Sequence, residues 1–275
     1  MIGFNGGLIG EKRTTSSNAS IPGVWTANEQ SLARRGTNEW SPSLTSVIQD
    51  QLALELDAAL YSPWEGDDDE VWRDSSGNRR DAELINSPTY NDSSFGGFFT
   101  FVRNNNNYGA SPWVANTNVS RLYTESYTVT ITFRPRSLRG DMRLFGQAVN
   151  INEFSSGFHN HNYNATPQTI EFRMYLQGNW AYPPTTMVFN PEQWYQVTCV
   201  YTSNAYTTMY LNATSYGTWG PANSQFNRMD IGVRQNNQFG DPFDGDVAHF
   251  MIHYKALSAS EVSHNFNALR GRFGI

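Results

Sequence analysis

Tyr127-Thr128-Val129-Thr130-Ile131-Thr132-Phe133 decides the fold, because apolar and hydroxyl side chains alternate along it without a break. Side chains of an extended chain point to opposite faces in turn, so Tyr127, Val129, Ile131 and Phe133 share one face and Thr128, Thr130 and Thr132 the other. It reads as a strand with one buried and one wetted face. The same period of two recurs upstream at Leu52, Leu54 and Leu56, and downstream at Ile170, Phe172, Met174 and Leu176. Between the apolar runs sit turn residues: Gly77, Asn86 with Pro88, Gly96-Gly97, Asn104 to Asn107, Gly157, Pro183-Pro184, Pro191, Gly217 and Gly240. Their spacing of about 10 to 20 residues fits hairpins and longer sandwich connections rather than strand–helix–strand units. The expected fold class is all-β, with two stacked antiparallel sheets.

One short helix is legible near the C-terminal end. Ser258 followed three residues later by Glu261 makes a capping box, Leu257 and Val262 form its hydrophobic staple, and Val262, Phe266 and Leu269 give an apolar stripe. The helix should lie on the sandwich, with Gly271 as its stop.

The chain has 275 residues, which suits one large all-β domain with an appendage. Two lysines, Lys12 and Lys255, stand against 17 arginines in a net charge of -6, and no basic stripe with interleaved aromatics occurs, so nucleic acid is not an expected partner. Asn occurs 28 times, favouring polar hydrogen-bonding loops over charged ones. The one cysteine, Cys199, reads as a small buried hydrophobe. No basic n-region opens the chain and no run of 18 apolar residues occurs, so neither a signal peptide nor a membrane partner is expected.

Residues 1–47 differ from the rest. They are rich in Gly, Ser, Thr and Asn, poor in aliphatic residues, and show neither sheet nor helix period. Such a stretch cannot bury enough apolar surface to fold alone. It nonetheless carries Val24, Trp25 and Trp40, which a solvated tail does not need. Residues 1–47 are therefore expected to form an extended N-terminal arm that orders against a larger body, and residues 48–275 the sandwich domain.

Leu52 to Asn78, ending in Val71-Trp72-Arg73-Asp74-Ser75-Ser76-Gly77-Asn78, resembles the opening of laminin G-like, concanavalin A-type domains. The resemblance continues through Leu84 to Tyr90, Gly97 to Phe101, Trp194 to Val197, Met209 to Asn212 and Ile231-Gly232, and is strongest from Phe243 to Ser258 and its helix. It implies a jelly-roll sandwich, often used to bind carbohydrate or protein. The N-terminal stretches Gly7-Leu8-Ile9-Gly10, Gly23 to Gln30 and Ala33-Arg34-Arg35 with Trp40 resemble the leader of virion structural proteins from marine tailed phages, cyanophages in particular. That second resemblance implies an exposed sandwich anchored to a particle by Val24, Trp25 and Trp40, with other virion proteins, a second copy of itself and a host glycan as partners.

Three chemistries compete for the polar residues. Glu65-Gly66-Asp67-Asp68-Asp69-Glu70 matches the E-x-D-x-x-E letters of laminarinase-like glycosidases. Retaining hydrolysis needs two carboxyl groups about 5 Å apart on a rigid strand, whereas Gly and Asp intervene here after Pro63, which suits an exposed acidic loop. Calcium, satisfied by carboxylate and amide oxygens, is the alternative ligand at Asp67, Asp68 and Asp69, with further oxygens from Asn104 to Asn107 or Asp241, Asp244 and Asp246. No resident cofactor is otherwise expected. Sugar binding needs rings for the apolar face of a pyranose and amides for its hydroxyls; Trp180 and Tyr182 in one apparent loop and Tyr216 and Trp219 in another supply the rings, although aromatics beside turns also simply pack over sandwich edges. His159 and His161 read as plain surface residues, and no nucleophile elbow, phosphate loop or zinc spacing occurs. The expected function is that of a non-enzymatic virion protein on the capsid exterior or tail, assembled in the host cytoplasm; a free carbohydrate-binding lectin is the alternative, and a glycosidase the third reading.

Overall fold

A computed structural model describes residues 46–61, 70–92, 96–103, 113–115, 119–122, 124–138, 142–147, 154–160, 170–176, 179–181, 187–219, 226, 228–233 and 242–275. In chain order the strands are β1 (Leu52–Asp57), β2 (Val71–Trp72), β3 (Ala82–Ile85), β4 (Thr89–Asn91), β5 (Phe98–Phe101), β6 (Trp113–Ala115), β7 (Tyr127–Pro135) and β8 (Met142–Gln147). They continue as β9 (Phe154–Asn160), β10 (Ile170–Leu176), β11 (Asn179–Ala181), β12 (Tyr195–Thr202), β13 (Tyr206–Leu211), β14 (Thr214–Trp219), β15 (Asp230–Ile231) and β16 (Gly245–His253). Helix α1 (Ala259–Phe273) follows.

The strands form two antiparallel sheets. The first runs β14-β13-β12-β7-β16-β5-β4 and the second β11-β10-β9-β8-β15-β6-β3-β2. Strand β16 shares one side between two partners: β5 lies along Gly245 to Val247 and β1 along His249 to His253. The sheets stack face to face through their apolar rows. Trp72 of β2 meets Phe99 of β5 at 4.8 Å between ring centroids, Phe145 of β8 meets Phe250 of β16 at 5.9 Å, and Phe172 of β10 meets Phe189 just before β12 at 5.9 Å. Tyr127, Val129, Ile131 and Phe133 fill this layer, as their alternation requires, and Cys199 is buried among them.

The threonine face is not wetted. Thr128, Thr130 and Thr132 are buried, together with Gln196, Thr198, His249 and His253 of the neighbouring strands. A third layer covers them: α1 and the strap of residues 46–51 pack on the outside of the first sheet through Val47, Leu52, Ala268, Leu269 and Phe273. The hydroxyls are satisfied within the layer, since Thr130 Oγ1 lies 3.2 Å from Thr198 Oγ1 while Thr128 Oγ1 donates to the Lys255 carbonyl at 2.8 Å and accepts from Leu257 N at 3.0 Å. Threonine suits both faces of a strand because its methyl packs while its hydroxyl finds a partner.

Two local expectations also change. The pairing of β1 with β16 shifts register between Leu52 and Leu54. The irregularity sends Leu54 and Leu56 into the inter-sheet core and Leu52 under α1, so the three leucines do not share one face. The capping box forms as read, with Ser258 N donating to Glu261 Oε2 at 2.8 Å and Glu261 N to Ser258 Oγ at 3.3 Å. The stop is not Gly271, which stays helical; Gly274 adopts φ 67° and its N–H reaches the Arg270 carbonyl. A left-handed C-cap needs the residue without a side chain.

Candidate functional site

The aromatic segments assigned to loops lie in strands. Trp180 is the middle residue of β11, in register with Tyr175 of β10, while Tyr216 and Trp219 belong to β14. Among the described residues these strands are the end strands, one of each sheet. Because β2 stacks on β5 and β8 on β16, the opposite ends of both strand orders, β11 and β14, fall on one flank of the sandwich. The pairing of β14 with β13 slips between Thr208 and Tyr210, opposite Tyr216 and Gly217, where Gly217 has φ 107°. A bulge re-aims side chains at a strand edge, and Tyr216 is half-buried against the inter-sheet core. Tyr182 lies outside the described residues, as do Val24, Trp25, Trp40, Asp67, Asp68 and Asp69.

A second polar arrangement, built from residues far apart in sequence, occupies the outer face of the first sheet beyond the end of α1. Asp246 is fully buried there. Its Oδ2 accepts from Arg134 Nε at 2.8 Å and Nη2 at 2.7 Å, and its Oδ1 accepts from Thr100 Oγ1 at 2.6 Å with Arg136 Nη2 at 3.4 Å. Arg134 also sits over the rings of Phe98 and Trp194, at 5.2 and 5.3 Å. The Asp246 carboxylate, expected among the calcium oxygens, is taken up by guanidinium and hydroxyl donors; Asp244 is engaged by the Ser137 hydroxyl. The Asp246 carboxylate thus ties β5, β7 and β16 together. Among the described residues no group of three or more His, Cys, Asp or Glu side chains gathers as metal ligands would.

The third arrangement fastens the strap and α1 to the sheet. Arg272 forks onto Asp57 with Nη1–Oδ2 2.8 Å and Nη2–Oδ1 2.9 Å, and Asp57 Oδ1 also accepts from Ala59 N at 2.8 Å. Burial pushes the Asp57 carboxyl up, but Arg272, His249 and these hydrogen bonds outweigh it and hold the group below its ordinary value. Lys255 bridges Asp50 and Glu261, each at 2.7 Å. Glu261, hydrogen-bonded by Lys255 and by the Ser258 backbone, is pushed down to about 2.

With two stacked antiparallel sheets and a closing helix, the class is that of a lectin-like sandwich. Residues 86–263 match the laminin G family described as the concanavalin A-like lectin/glucanases superfamily, and the chain belongs to it. No curated protein matches the sequence. Among solved structures, the binding domain of Paraclostridial Mosquitocidal Protein 1 is similar over 80% of this chain and 52% of its own, with TM-score 0.59 and 18% identity. Domain 4 of AbnA, an extracellular arabinanase from Geobacillus stearothermophilus in complex with arabinotriose, is similar over 78% of this chain and 97% of its own, with TM-score 0.53 and 17% identity. Botulinum neurotoxin type C, whose cell entry depends on interaction with two ganglioside molecules, is similar over 81% of this chain and 52% of its own, with TM-score 0.57 and 13% identity. The chain thus spans about half the length of the toxin chains it matches. At these identities the likeness is one of fold.

Proposed function

We propose that the chain is a non-enzymatic virion structural protein of a tailed phage, in which the N-terminal arm that ends at the strap docks to the particle through Val24, Trp25 and Trp40 and the sandwich faces outward to meet a glycan. One observation carries the binding half of this reading: among the described residues, the strands holding Trp180, Tyr216 and Trp219 are the end strands of the two sheets on the same flank of a concanavalin A-like sandwich. Tryptophan and tyrosine supply the ring faces on which a sugar stacks. The arabinotriose on one similar domain and the gangliosides of a similar toxin support a saccharide as the ligand class. The virion half rests on the leader resemblance and on the composition of residues 1–47. Other virion proteins and a second copy of the chain are the partners it names, and the virion is its location.

Two measurements test it. A glycan array probed with the full chain, then with Trp180→Ala and Trp219→Ala, should lose its hits; unchanged binding by both variants removes the flank as the site. Particle incorporation of a chain beginning at Ser46 tests the arm, the cut being placed there because Ser46 and Ile48 are tied to α1. Incorporation of the shortened chain at the level of the whole one would favour the alternative, a free lectin.

A further inference from the structure

The strap of residues 46–51 is held by a set of groups that lie between residues 253 and 265. His264 Nε2 lies 2.9 Å from the Ser46 carbonyl, Ile48 N donates to Asn265 Oδ1 at 2.8 Å, and His253 Nε2 lies 2.8 Å from the Ile48 carbonyl. Lys255 adds the ion pair to Asp50, and Tyr254 N donates to the Gln51 carbonyl at 2.8 Å. A carbonyl only accepts, so His253 must carry its proton on Nε2. Its other nitrogen, Nδ1, is buried and meets no hydrogen-bond partner among the described residues. A second proton there would place a charged N–H in a dry layer without an acceptor, which the folded state resists.

We propose that the strap is a proton-released clasp: neutral His253 closes it over the outer face of the first sheet, and protonation of His253 at mildly acidic pH opens it. The charged and titratable groups around the imidazole do not remove the penalty. Glu55 of β1 and Glu261 of α1 favour the cation, but Glu55 is engaged by His249 at 3.1 Å and by Ser75 at 3.0 Å, and Glu261 by Lys255. Lys255, two residues further on, opposes the cation; His249 lies on the same strand face, His264 approaches from α1, Asp50 from the strap is paired with Lys255, and Thr128 of β7 is bound to residues 255 and 257. Burial dominates and holds the imidazole below its ordinary value of 6.5, against the pull of the Ile48 carbonyl, Glu55 and Glu261. The sign follows: the open clasp binds the proton more readily, so closure is complete above the ordinary histidine value and weakens as pH falls below it. Because the strap is the stretch through which residues 1–45 join the sandwich, opening would loosen that junction.

Amide hydrogen exchange of the full chain between pH 7.5 and 5, corrected for intrinsic rates, reads the clasp directly at residues 46–51. Below about pH 6.5 the strap's protection should fall by about tenfold per pH unit until His253 itself titrates in the closed form, while amides in the centre of β16 keep theirs. In His253→Gln, whose side-chain N–H donor carries no titrating proton, the strap's protection should be flat over the same range. Flat protection in the unaltered chain, or an undiminished pH dependence in His253→Gln, overturns the proposal. The nuclear magnetic resonance titration of the His253 ring in the unaltered chain gives an independent reading, and a midpoint at or above 6.5 overturns it as well.

Discussion

Replacing Arg272 with alanine removes the fork that ties the last turn of α1 to the end of β1. Both side chains of the pair are nearly buried, 14% exposed for Arg272 and 12% for Asp57. After the substitution the Asp57 carboxylate keeps the Ala59 N–H but loses its counter-charge. Removing one partner of a fully buried pair costs about 3 to 5 kcal/mol, and the residual solvent contact lowers this to about 2 to 4 kcal/mol. For a domain of this size each kcal/mol moves the midpoint by about 2 to 4 °C, so calorimetry at pH 7 should place Tm of Arg272→Ala about 4 to 16 °C below that of the unaltered chain. A double-mutant cycle with Asp57→Ala isolates the pair from the cap that Asp57 also provides, and should return a coupling of about 1 to 3 kcal/mol. The pH dependence has a defined sign. Asp57 titrates below its ordinary value of 3.8, so the pair's contribution is present above that value and is lost as pH falls through the lower folded value. The two melting curves should therefore converge in acid. A midpoint for Arg272→Ala within about 1 °C of the unaltered chain at pH 7, inside the noise of the expected shift, would refute the assignment of this pair as the fastening of α1.

Gly97→Ala should destabilise by about 2 kcal/mol or more in urea titrations, because Gly97 has φ 93° and an added Cβ would lie 2.8 Å from the Ala58 carbonyl oxygen; Gly77→Ala, at φ 86° with open space around it, should cost markedly less. Ser258→Ala should cost about 1 kcal/mol by removing the N-cap of α1. Glu261 contributes stability that is present above its ordinary value of 4.5 and lost as pH falls toward about 2; hydrogen exchange in the first turn of α1 should rise across that window, and Glu261→Gln should flatten the rise.

The elements built on local information were legible. Tyr127 to Phe133 alternates because one strand face must fill the inter-sheet layer, and the Ser258–Glu261 box announces α1 because both partners lie within four residues. What failed depends on contacts distant in sequence. Nothing near Thr128, Thr130 and Thr132 tells that a strap from residues 46–51 and a helix after residue 258 will cover them. The slip at Leu52 is equally silent, since alternation continues in the letters while the pairing with His253 changes. The flanking prolines of Asn179-Trp180-Ala181-Tyr182 suggest a loop, yet β11 forms because β10 offers it an edge. The Asp246 cluster joins residues 100, 134, 136 and 246, so no local motif could assemble it, whereas the shared face of His249 and His253 follows from their spacing.

Strand β16 is the last of the described strands along the chain yet lies at the middle of its sheet, bonded to β7 on one side and to β5 and β1 on the other. During synthesis the segments made earlier must wait with two raw hydrogen-bonding borders until residues 245–253 clear the ribosome. Non-local pairing of this kind slows folding and leaves nascent chains open to misassociation. The final piece is a keystone: the two halves of the sheet cannot join, nor can α1 find its seat, before it drops into place.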